Sequence, residues 1–92
     1  MNLKGNQLSS ILKTEYDKNL ATHVNSVILS IENKIIIATR SGIDFVWFEI
    51  PSHYKYTDDE VCANVVKILE QNHFYVRLFE TKNKTNVVQV IW

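Results

Sequence analysis

Between residues 6 and 41 the chain has neither glycine nor proline, and its apolar residues recur at helical spacing. Leu20, Val24, Val27, Ile28, Ile31, Ile35 and Ala38 fall three or four apart, which lays them along one stripe of a helix. Leu8, Ile11, Leu12 and Tyr16 form a shorter stripe ahead of it. At about 100° per residue the centres of the two stripes differ by roughly 140°. One straight helix would aim its apolar groups in two directions. The pattern therefore predicts two helices, with a break near residues 17–19 and Asp17 as N-cap of the longer one. Arg40 suits the negative end of that helix dipole, and Gly42 supplies its stop.

The pattern then changes period. Residues 43–50 (IDFVWFEI) are aromatic and β-branched and end at Pro51, which reads as a strand apolar on both faces and covered on both. Residues 52–56 form a loop. Thr57 and Glu60 are spaced as a capping box, in which a hydroxyl and a carboxylate each satisfy a free backbone N–H. Val61, Cys62, Val65, Val66, Ile68 and Leu69 make the buried face of the helix that follows, closing near Asn72. Residues 74–80 and 86–92 read as strands joined by the polar turn at 81–85, an antiparallel hairpin.

The expected fold is α+β: two N-terminal helices, then strand-helix-strand-strand, a three-stranded sheet with helices packed on it. Two strand orders stay open. The first and second strands pair in parallel as a βαβ unit, or the first pairs antiparallel with the last.

Composition narrows the class. The 92 residues suit one domain, 1–92, and 46% apolar with 22% charged content is ordinary for a folded chain. Ten basic and ten acidic residues give a formal net charge of zero. That disfavours a nucleic-acid binder, whose affinity comes largely from neutralised phosphates. No leader-like stretch follows Met1 and no apolar run is long enough for a span, so an intracellular protein, neither secreted nor in a membrane, is expected. Asn83-Lys84-Thr85 then matches a glycosylation acceptor only by coincidence.

Candidate chemistry is sparse. His23, His53 and His73 show no spacing that brings two ligands to one ion, so no metal site is expected. Cys62, the only cysteine, sits on an apolar helix face just after Asp58, Asp59 and Glu60, whose charge opposes a thiolate. Those acids serve the helix N-terminus. With no Gly-rich phosphate loop and no catalytic triad pattern, the expectation is a non-enzyme with no catalytic residue and no cofactor.

Two surface features stand out. Ile36 and Ile37 lie about 130° to either side of the long helix's stripe, so at least one should remain outside the core as an interface candidate. The loop His53-Tyr54-Lys55-Tyr56 combines aromatics with a cation, a composition suited to an interface or to stacking on single-stranded nucleic acid. Lys82 and Lys84 in the hairpin turn would add cations to that second use.

The succession of a helix ending at a Gly, an aromatic strand closing on Ile50-Pro51 and a Tyr-containing loop resembles short uncharacterised proteins of nucleocytoplasmic large DNA viruses. So does the helix running into Asn72-His73-Phe74-Tyr75-Val76 and the terminal strand ending Ile91-Trp92. The resemblance covers about residues 30–92. Where that family has Asn-Gly before the second strand, this chain has Asn72-His73. What the resemblance implies is a virion or infected-cell context, in host cytoplasm or virion, with no catalytic residues. The combined expectation is a non-enzymatic structural or interaction protein whose partner is itself or another protein; the alternative is a nucleic-acid-binding module.

Overall fold

A computed structural model describes residues 5–92, with side chains from residue 9 onward. The elements run α1 (Gly5–Arg40), β1 (Phe45–Ile50), α2 (Asp58–Gln71), β2 (Tyr75–Glu80) and β3 (Asn86–Ile91). Fold class is α+β as expected, but the two N-terminal helices are one. α1 is continuous for 36 residues, about 54 Å at 1.5 Å per residue.

The conflict between the two apolar stripes is resolved by leaving the first one out of the core. Ile11 and Leu12 are mostly exposed, and only Tyr16 reaches the body; Leu8 lies outside the described side chains. With no glycine or proline to end it, the helix simply runs on past the domain. The molecule is accordingly long, 62 × 28 × 17 Å, with a radius of gyration of 16.5 Å, where a compact chain of this length gives about 12 Å.

The sheet is fully antiparallel in the order β1-β3-β2, so the second of the two expected arrangements holds. β3 lies in the middle, with Val88 opposite Phe48 and Leu78, and Val90 opposite Val46 and Val76. Both helices pack on that one face of the sheet. Val24, Val27, Ile31 and Ile35 of α1 and Val61, Cys62, Val65 and Leu69 of α2 close over Ile50, Val88 and Val90. Ile31, Val65, Val88 and Val90 are completely enclosed.

The helix ends follow their sequence signals. Thr57 Oγ1 accepts from the Glu60 N–H and Glu60 Oε2 accepts from the Thr57 N–H, each at 3.2 Å, which completes the capping box. α1 ends in a Schellman turn: the Ile43 N–H donates to Ala38 C=O at 2.8 Å and the Gly42 N–H to Thr39 C=O at 3.0 Å, with Gly42 at φ 77°. α2 ends in the same way with His73 in the left-handed position, φ 68°. Among the described residues no helix is long and apolar enough to cross a membrane.

Candidate interaction surfaces

Because side chains alternate along a strand, stacking both helices on one side leaves the other side of the sheet open. Three rows cross that outer face: Phe45, Ile91 and Tyr75; Trp47, Gln89 and Arg77; Glu49, Val87 and Phe79. Its four aromatics stay exposed, Phe45 at 42%, Trp47 at 45%, Tyr75 at 61% and Phe79 at 42%. β1 was expected to be covered on both faces; it is covered on one.

The outer groups are organised among themselves. Trp47 and Phe79 lean toward each other across β3, ring centroids 5.5 Å apart. The Arg77 guanidinium lies 5.9 Å from the Tyr75 ring centre. Taking about 200 Å² for a whole aromatic side chain, the exposed parts of these four rings sum to roughly 380 Å², already the size of a typical protein's largest apolar patch. The signal was present in the sequence as two i, i+2, i+4 sets, Phe45/Trp47/Glu49 and Tyr75/Arg77/Phe79. It became legible only once both helices were known to share a side.

The free edge of β1 is partly blocked. Lys34 Nζ donates to the Trp47 carbonyl at 2.9 Å and lies 5.7 Å from the Phe48 ring centre. A lysine placed on an edge carbonyl hinders the addition of another strand there. This disfavours strand addition at the β1 edge.

Ile36 and Ile37 are both exposed, at 47% and 64%. They do not share one surface. Ile36 lines a groove of about 300 Å³ between α1 and α2, together with Ile28, Ile35, Ile68, Leu69 and Phe74; Ile37 is one residue, about 100°, further round the helix. The loop triplet also divides. Tyr54 is 92% exposed and Lys55 is exposed, whereas Tyr56, expected on the loop surface, is instead a buried core residue. Tyr56 turns inward because α1 offers it rings to pack on, Tyr16 at 5.3 Å and His23 at 5.9 Å. Lys82 is exposed in the turn after β2, and Lys84 holds a left-handed turn position at φ 60°.

The fold brings together two histidines that their spacing kept apart. The His23 and His53 rings lie 4.6 Å apart, and His53 also packs on Tyr54 and Tyr56, each at 4.7 Å. The Lys55 N–H donates to His53 Nδ1 at 3.0 Å. His23 Nε2 is buried without a hydrogen-bond partner. Burial, and secondarily the neighbouring His53, hold the His23 pKa below the ordinary 6.5. Among the described residues no three of His, Cys, Asp and Glu gather as a ligand set.

Close by, the Tyr16 hydroxyl donates to Glu60 Oε2 at 2.8 Å. That bond, helped by the Thr57 N–H, lowers the Glu60 pKa, and the same bond followed by burial raises that of Tyr16. It fastens the base of the protruding helix arm to the start of α2. Cys62 is buried, and burial followed by Asp58 and Asp59 pushes its thiol pKa up, away from nucleophilic use. Compared with protein-family models, with curated proteins and with solved structures, the chain finds a match in none.

Proposed function

We propose that this chain is a non-catalytic protein-interaction module that works through the open face of its sheet. One observation carries the reading: four aromatic side chains stand exposed in alternate strand positions on the sheet side that, among the described residues, neither α1 nor α2 covers. Leaving that much apolar surface in water is unfavourable unless another surface covers it. A protein partner suits it better than a nucleic acid. The face holds one cation, Arg77, and one anion, Glu49, so it offers phosphates no net attraction. The central strand sets Val87 and Ile91 on either side of Gln89 between the aromatic edges, so apolar side chains predominate on the face, as in a protein interface. The viral likeness over residues 30–92 extends the proposal to a virion or infected-cell factor acting inside the host cell.

The nucleic-acid reading keeps one favourable observation: exposed rings beside a guanidinium can stack bases. The two are separated by immobilising the full chain and its Trp47→Ser/Phe79→Ser variant. Proteins, including free copies of the chain, and single-stranded oligonucleotides at low salt are then offered to both. Protein retention that the variant loses supports the proposal. Retention of oligonucleotides with no protein retained would overturn it.

A further inference from the structure

We infer that the occupant of the open sheet face is a second copy of this chain, packed face to face about a two-fold axis running along β3. This rests on the sheet face being the interaction surface and goes further by naming the partner.

Symmetry supplies the first argument. β1 and β2 run in the same direction on either side of β3, with residues 45 and 75, 47 and 77, and 49 and 79 in shared rows. Rotation about an axis along β3 therefore lays β1 of one copy over β2 of the other with rows preserved. Phe45 then meets Tyr75 of the second copy, Trp47 meets Arg77, and Val87, Gln89 and Ile91 meet themselves.

Charge supplies the second. Arg77 faces Trp47 of the other copy, where a guanidinium on an indole face is favourable. Glu49 of that copy lies one row further along, about 7 Å by strand rise, and two long side chains extending between sheets about 10 Å apart span that offset. The pair occurs twice, once at each edge. The other two-fold choice, across the strands, would set Arg77 on Arg77 and is disfavoured by like charge.

Area supplies the third. The aromatic portion of the face, roughly 380 Å², is about half of the ~800 Å² per partner in a standard interface. Five further outward side chains, two of them long and charged, extend it. Lys34 on the Trp47 carbonyl hinders competing edge-to-edge pairing through β1.

Sedimentation equilibrium of the full chain tests this with Glu49→Arg and Arg77→Glu. Wild type should be dimeric. Each single variant, which sets like charges in neighbouring rows across its own dimer, should associate roughly tenfold more weakly or worse. An equimolar mixture of the two should regain dimer, because opposite charges then meet at both edges; this recovery also shows that both variants are folded. Wild type monomeric at millimolar concentration overturns the inference, while retention of another protein through Trp47 and Phe79 would leave the interaction reading standing. A dimer indifferent to both charge changes overturns it as well. If that dimer is lost with Ile36→Asp or Ile37→Asp, the sheet-face reading fails too.

Discussion

Replacing Ile31 with alanine, and separately Ile11 with alanine, removes the same three carbons from the same helix at two places. Ile31 is completely enclosed against the sheet, whereas Ile11 is more than half exposed on the protruding arm. At about 0.8 kcal/mol per buried methylene, Ile31→Ala loses roughly 2.4 kcal/mol of transfer free energy, and the cavity left behind raises this to about 3 kcal/mol. A domain this small is stable by about 5–15 kcal/mol, so the change is large, and it lowers Tm by roughly 12–24 °C. Ile11→Ala loses a fraction of the transfer term, leaves no cavity and gains helix propensity, so its net effect stays within about 0.5 kcal/mol. Urea unfolding followed by helical circular dichroism measures both. Equal destabilisation by the two variants would refute the single overhanging helix, because it would require the arm to fold back and bury Ile11.

Thr57→Ala breaks the capping box of α2 and should cost about 1 kcal/mol, read as a Tm lowered by roughly 4–8 °C. Gly42→Ala meets no atom within 4 Å, but the backbone there is left-handed, φ 77°; a loss of about 1 kcal/mol with an unchanged spectrum would show that conformation alone is responsible. His23 has a folded-state pKa below its unfolded value of about 6.5, so the unfolded chain binds the extra proton first. The contribution of His23 is thus complete above that pH and shrinks as pH falls from there toward the folded value. Urea midpoints for wild type should drop across this window, and those for His23→Gln should drop less.

Much of the architecture was legible because it rests on local signals. The stripe from Leu20 to Ala38, the box at Thr57 and Glu60, the stop at Gly42 and the polar turn at residues 81–85 each act within a few residues of chain. What escaped depends on which surfaces meet. Ile11 and Leu12 lie about 150° and 110° from the centre of the core stripe. That geometry fits a broken helix or an overhanging one equally, and the absence of a helix breaker favours the second. Tyr16, about 70° away, is near enough to reach Glu60 and Tyr56.

The candidate site was less legible for the same reason. Phe45 and Trp47 look like core residues in a one-dimensional pattern, because hydrophobicity is the same whether a helix or a second copy covers it. Only the placement of α1 and α2 on one side exposes them. The reverse held for Tyr56, whose loop position suggested solvent until the rings of α1 came within reach. His23 and His53 are thirty residues apart in sequence, and no local period could announce their contact.

The most direct test is a dilution series of 15N-labelled protein, from millimolar to micromolar, followed by heteronuclear NMR. Concentration-dependent shifts should concentrate on Phe45, Trp47, Tyr75, Arg77, Phe79, Val87, Gln89 and Ile91 and on the Trp47 indole N–H. Shifts confined instead to α1 around Ile36 and Ile37, or no shifts at any concentration, would contradict self-association through the open sheet face.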